Sequence, residues 1–154
     1  MAQLISIVFQ PEDQTYSDGR QGGFIRVPAQ QVQLIENHGI AGDRKSGHSP
    51  KRQLNLLSTV WLAEKEAEGY QTKPGQFGEQ LIVEGLDLDS LEAGTRLQLG
   101  DEAVIEITMP RIGCTRLEAA QGAGNLDGKH IGVMSRVLAG GTIRLGDAVA
   151  VLVS

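Results

Sequence analysis

GTRLQLGDEAVIEITMPRIGC, residues 94–114, holds two short alternating apolar runs joined by a Gly-Asp turn. TRLQLG (95–100) reads as one strand and AVIEIT (103–108) as its return, since alternation at period two puts one face on a core. Pro110 is expected to end the second strand. Gly113 is expected to loosen the backbone before Cys114, the only cysteine in the chain. Outward from this stretch the same grammar repeats. QLISIVF (3–9), QVQLIE (31–36), QLNLLS (53–58) and QLIVEG (80–85) precede it. GVMSRVL (132–138), TIRLG (142–146) and AVAVLV (148–153) follow. Turn signals such as Pro74-Gly75 and Gly146-Asp147 separate several of them. Close spacing with little room for crossover helices predicts a mainly β protein, an antiparallel β-barrel with a few short helices.

One segment reads as a helix. Ser58 or Thr59 serves as N-cap, and apolar residues fall at Val60, Ala63, Ala67 and Tyr70, near the helical period. Gly69 marks its end, and Trp61 is expected to pack on the sheet. Shorter helical turns are expected at Asp87–Leu91 and from Cys114 through Ala120. GTRLQLGDEAVIEI (94–107) is echoed by GTIRLGDAVAVLV (141–153), which predicts two similar hairpins.

A chain of 154 residues fits one domain, residues 1–154. At that length it buries roughly 68–70% of its unfolded surface without help from a disulfide or metal. The lone cysteine, the missing basic leader and the absence of an apolar run of membrane-spanning length predict a cytoplasmic protein, with no membrane partner. A net charge of −5 argues against nucleic acid as a partner. The charge is uneven, however. Windows 44–63, 107–117 and 128–146 contain no Asp or Glu, yet hold Arg44, Lys45, Lys51, Arg52, Arg111, Arg116, Lys129, Arg136 and Arg144, nine of the fourteen Lys and Arg residues. If the windows meet, they form a cationic concavity suited to a small anion. If they do not, they are a solvated charge distribution.

A lone cysteine is most often a small buried hydrophobe. Arg111 and Arg116 flank this one, and cations lower a thiol's pKa when they point toward it. Such a thiol serves as nucleophile, persulfide carrier or soft metal ligand. GIAGDRKSGHSPKRQ (39–53) is a glycine-punctuated basic loop whose amides and arginine forks suit a phosphate. It is neither a Walker loop nor a dinucleotide fingerprint. His38, His48 and His130 lack the spacing of a zinc site. On spacing alone, Glu79 and Gln80 read as surface polar residues at a strand mouth.

Five segments in order resemble one family, the MOSC domain, named for the C-terminal domain of molybdenum cofactor sulfurase. They are GI-x-GDR (39–44), KRQ-x-x-L-[LI]-S (51–58), PG-x-[FL]-GE-x-L-x-VEGLDL (74–88), PR-x-x-C (110–114) and RVL-x-GG-x-[IV]-x-x-GD (136–147). The resemblance is clearest from about residue 30 to 154, and is to the small stand-alone bacterial type. It implies a β-barrel that binds molybdenum cofactor (Mo-molybdopterin), with Cys114 as the functional thiol. In the leading version Cys114 is catalytic and a thiolate ligand of molybdenum. Arg44, Lys45, Arg52, Arg111 and Arg136 then contact the pterin phosphate, with Gln80 as an amide partner near the metal. That version is a small molybdoenzyme reducing N-hydroxylated compounds with electrons from a partner protein. Two alternatives stand beside it: a sulfur carrier holding a persulfide on Cys114, supplied by a sulfur-donor protein, and a non-catalytic cofactor- or anion-binding module. The sequence departs from the family pattern at Lys45, where many relatives have His, at Gln80, where many have Asn, and at Gly113, where proline is usual. Nothing resembles the sulfurase's aminotransferase-like domain, so no covalently held pyridoxal phosphate is expected.

Overall fold

Apolar alternation produces the strands where the sequence places them, with two short additions. The computed structural model describes residues 1–12, 26–113, 121, 126 and 128–153. Cys114 and the helical turn expected from there through Ala120 lie outside the described residues. The strands are β1 (Gln3–Phe9), β2 (Val27–Pro28), β3 (Gln31–Ile35), β4 (Gly39–Ile40) and β5 (Leu54–Ser58), then β6 (Leu81–Glu84) and β7 (Arg96–Leu99). They continue with β8 (Ala103–Ile112), β9 (His130–Ala139), β10 (Gly141–Arg144) and β11 (Val149–Leu152). The helix α1 (Thr59–Ala67) joins β5 to β6. Leu88–Ser90 forms one turn of 3-10 helix within the stretch expected to turn.

One curled eight-stranded sheet runs β11-β7-β8-β9-β5-β6-β1-β2, and a three-stranded sheet runs β10-β3-β4. The large sheet bends until β1 reaches the segment leading into β11. Leu4 N–H donates to Asp147 O at 2.9 Å, Gly146 N–H to Leu4 O at 2.7 Å and Val149 N–H to Ala2 O at 3.0 Å. These bonds satisfy a strand edge that would otherwise stand open. Most pairs are antiparallel, but β5 and β6 run parallel, with Leu56 opposite Leu81. The short helix supplies the crossover that a parallel pair requires.

The core has two parts. Leu4, Leu34, Leu54, Leu56, Leu97 and Ile105 belong to the larger one. Leu57, Trp61, Leu62, Phe77, Ile82 and Ile131 form the smaller one, between α1 and the sheet. The strand β5 therefore buries side chains on both faces, and LNLLS reads as a nearly continuous apolar run rather than an alternating one.

Three local expectations are corrected. Ser58 caps α1 as expected, accepting from Trp61 N–H at 3.3 Å. The buried stripe, however, is Trp61 and Leu62, while Val60 is 66% exposed and Ala63 and Ala67 face solvent. Burial follows apolar area, and an indole against Phe77, with ring centroids 4.9 Å apart, outweighs two methyl groups. Pro110 does not end β8. It sits opposite Val133, and irregular register around it lets the strand continue to Ile112. The two echoed segments also diverge. β7 and β8 form the predicted hairpin, with Leu99 opposite Ala103. β10 instead pairs with β3, and β11 with β7.

No helix among the described residues is long and apolar enough to cross a membrane.

Candidate functional site

Residues 75–80 make a tight turn before β6, and its geometry organises one end of the barrel. Glu79 is 1% exposed. Its carboxylate accepts from Gly75 N–H at 2.6 Å and Phe77 N–H at 3.2 Å, which closes the turn on itself. The next two carbonyls are left for cations. Arg111, on β8, donates through Nη1 to Phe77 O, and Arg26 donates through Nη2 to Gly78 O at 2.9 Å. Asn55 Nδ2 also donates to Gly78 O, at 3.3 Å.

Gln80 carries the network onward. Its Oε1 accepts from Asn55 N–H at 2.8 Å, and its Nε2 donates to Asp43 Oδ2 at 3.3 Å. Buried Asp43 Oδ1 accepts from Gln10 N–H at 3.1 Å and Lys45 N–H at 3.2 Å. Arg44 N–H donates to Gln10 O at 2.7 Å. Ser46 Oγ donates to Asp43 O at 2.6 Å and lies 2.8 Å from His38 Nε2. One connected set of hydrogen bonds therefore links the Arg44–Lys45 turn, Gln80, the 75–79 turn, Arg26 and Arg111.

The electrostatics of this set follow from its burial. Burial pushes the Glu79 carboxyl above its ordinary value of 4.5. The Gly75 amide offsets that most, followed by its own amide and the Arg111 and Arg26 guanidiniums. Burial wins because the site keeps water from the carboxyl while two long cations share their charge with backbone carbonyls.

Expected site residues separate into two groups. Arg44, Lys45, Gln80 and Arg111 belong to the network. Arg136 does not: its Nε and Nη2 each lie 3.0 Å from Glu106 Oε1. Arg96 Nε lies 3.8 Å from the other oxygen of Glu106. Glu106 stands five residues before Arg111 on β8, about 16 Å along an extended strand. Arg136 and Glu106 line a depression of about 300 Å³ together with Lys51, Thr108 and Gly94. Arg52 is exposed and follows Lys51, whose carbonyl accepts from Thr108 Oγ1 at 2.5 Å. The cationic windows thus meet in two places rather than one. Glu79 and Gln80, read from spacing as surface residues, are both buried. Arg26 was not singled out, and Asp43 entered only as a letter of the GI-x-GDR segment (39–44), with no role. Arg26 lies outside the acid-free windows, and an acid such as Asp43 counts against a cationic site until its amide partners are seen.

The backbone entering Cys114 is held, not loose. Gly113 N–H donates to Lys129 O at 2.8 Å, and its carbonyl accepts from Gly128 N–H at 3.1 Å. A Cβ at Gly113 would sit 2.2 Å from Leu126 O and 2.6 Å from Ile131 Cδ1, so glycine is required by close approach.

The residues present fit a phosphorylated pterin in charge and donor type. Two guanidiniums are anchored by neighbouring carbonyls, and the basic Arg44–Lys45 turn is tied to the same network. Such forks suit a phosphate dianion. Among the described residues no three His, Cys, Asp or Glu side chains converge on a metal position.

The model of the MOSC domain matches residues 43–150, a span that includes Asp43, Gln80, Arg111 and Cys114. The chain belongs to the MOSC domain family. Comparison with curated protein sequences gave no match. Solved structures with the same fold include YiiM from Geobacillus stearothermophilus, with a TM-score of 0.74 and 20% identity over 99% of this chain and 76% of that one. YiiM from Escherichia coli gives 0.69 and 21%, over 99% and 70%. The YuaD protein from Bacillus subtilis gives 0.65 and 16%, over 97% and 94%.

Proposed function

We propose that this chain binds molybdenum cofactor and acts as a small cytoplasmic oxidoreductase on N-hydroxylated compounds. One observation carries the reading: the Glu79-closed turn presents adjacent carbonyls to Arg111 and Arg26, holding two cations at one turn, and Arg111 stands three residues before Cys114 in the sequence. Membership of the MOSC family supports the choice of cofactor.

Arg111 and Arg26 hold the pterin phosphate, and Arg44 and Lys45 add positive field. Gln80 accepts from Asn55 N–H and gives one Nε2 hydrogen to Asp43, which holds its amide in one orientation and leaves the second N–H as the amide donor toward the cofactor. Cys114 is the soft ligand of the metal. When bound, the cofactor supplies two-electron redox chemistry. Removal of an N-bound hydroxyl consumes two electrons and two protons and releases water; the electrons come from a partner protein. Arg136 and Arg52, grouped elsewhere, are left out of this assignment.

Inductively coupled plasma mass spectrometry on protein from a cofactor-competent host tests the reading, wild type beside Cys114→Ser. Near-stoichiometric molybdenum in the wild type, lost in the variant, is expected. Folded protein without metal, carrying an added mass of about 32 Da on Cys114, overturns it in favour of a persulfide carrier. Equal metal in both proteins removes the ligand role and leaves a binding module.

A further inference from the structure

Asp43 is a fully buried carboxylate to which the proposed chemistry gives no part. Its partners are N–H donors: the Gln10 and Lys45 amides on Oδ1, at 3.1 and 3.2 Å, and Gln80 Nε2 on Oδ2, at 3.3 Å. The orientation of Gln80 is fixed from two sides. Asn55 N–H only donates and so takes Oε1, at 2.8 Å, while the Asp43 carboxylate accepts and so takes Nε2. No acceptor among the described residues takes the second Nε2 hydrogen. Asp43 thus decides which way round the amide stands. Only a carboxylate presents acceptors on both sides; with asparagine in its place, either Gln80 or the pair of backbone amides faces an NH₂.

We propose that Asp43 is a positioning residue acting through Gln80. It holds the amide with its second N–H as donor to the bound cofactor, and through the Lys45 amide it keeps the Arg44–Lys45 turn beside that donor. Being fully buried, Asp43 touches no reacting atom. The role rests on the cofactor reading given above. Orienting partners of this kind change the hold on a metal centre by about 10–100-fold.

A swap of functional groups tests the role. Asp43→Asn sets NH₂ against NH₂, and Gln80→Glu sets carboxylate against carboxylate, so each alone should lower the urea midpoint. Together they restore every hydrogen bond, because the new carboxylate accepts from both the Asn55 amide and the new asparagine. The double variant should regain the wild-type midpoint, yet it has no N–H to offer the cofactor. Molybdenum retained after dialysis is expected to fall about tenfold in Asp43→Asn and to stay down in the double variant. Wild-type molybdenum in either protein overturns the role and leaves Asp43 a structural residue. A second readout needs no cofactor. In 15N–1H spectra of the unloaded protein, the Gln80 side-chain hydrogen taken by Asp43 should lie downfield of the ordinary glutamine range and return to it in Asp43→Asn. An unmoved signal overturns Asp43's hold on the amide. A signal that moves in a protein whose wild type retains no molybdenum overturns the cofactor reading instead, and with it the donor role of Gln80.

Discussion

Two arginine–glutamate partnerships share strand β8, which carries Glu106 of one and Arg111 of the other, and behave as opposites. Arg136 meets Glu106 directly, with side chains 41% and 18% exposed. Arg111 and Glu79 are 9% and 1% exposed, and Arg111 spends its Nη1 on the Phe77 carbonyl beside Glu79. The exposed pair is held by mutual attraction that water and salt weaken. The buried pair is held through backbone that both partners grip, so each side chain fixes the turn that fixes the other. Only the second arrangement places a guanidinium with a defined direction at the end of β8. A charge count sees two equal arginines; the structure shows one neutralised by a surface partner and one built into a scaffold.

Replacing each arginine with Met tests that contrast directly. Arg111→Met leaves the Phe77 carbonyl unpaired and removes a cation from buried Glu79, and should destabilise the fold by about 3 kcal/mol in urea unfolding. The loss stays at the low end of values for broken buried pairs because Glu79 can take up a proton. Arg136→Met should cost less than about 1 kcal/mol, and less still at high salt. Equal costs would erase the distinction between the two pairs.

Gly113 sharpens the comparison from the backbone side, because it anchors the end of β8 that carries Arg111. Gly113→Ala puts a methyl group against Leu126 O and Ile131 Cδ1, and neither is the far end of a flexible polar chain. Backbone must shift, at a cost of about 2–3 kcal/mol by urea unfolding. A neutral result would mean that the β8 end yields easily, and the fixed direction assigned to Arg111 would go with it.

The strands were legible because alternation and turn residues are local signals. QLISIVF and β1 coincide residue for residue, and the longer course of β8 was missed only because a proline usually stops a ladder. The strand that broke alternation, β5, did so because a helix covers its second face. The site was less legible. Arg111, Gln80 and the Arg44–Lys45 turn came from ordered motifs, yet which cations share a site depends on contacts across long stretches of chain. Arg26 meets Gly78 across 52 residues, and Asp43 meets Gln80 across 37. Glu79 reads as surface in any window because its two amide partners, Gly75 and Phe77, carry no side-chain signature of a carboxylate cage. Arg136 sits in a family-like motif, but its partner Glu106 comes from the neighbouring strand, and only register brings them together.

Among the changes at the buried end of β8, the smallest expected effect is also the most diagnostic of burial. Glu79→Gln keeps one acceptor for the Gly75 and Phe77 amides and turns an NH₂ toward the other, at a cost of about 1–2 kcal/mol. That cost should depend on pH. Well below 4.5, the carboxyl is protonated in folded and unfolded chains alike. Above 4.5 the unfolded chain releases its proton first, while burial keeps the folded carboxyl protonated up to its raised value. Across that window the unfolded state binds fewer protons, so the contribution of Glu79 to stability falls as pH rises, then levels off. Glutamine has no such dependence. Urea unfolding of both proteins at successive pH values should therefore show the wild-type advantage largest near pH 4 and shrinking upward. An advantage that grows with pH would mean that the amides and the Arg111 and Arg26 guanidiniums outweigh desolvation. Glu79 would then be a true anion partnered to two cations, and its difference from Glu106 would be one of depth alone.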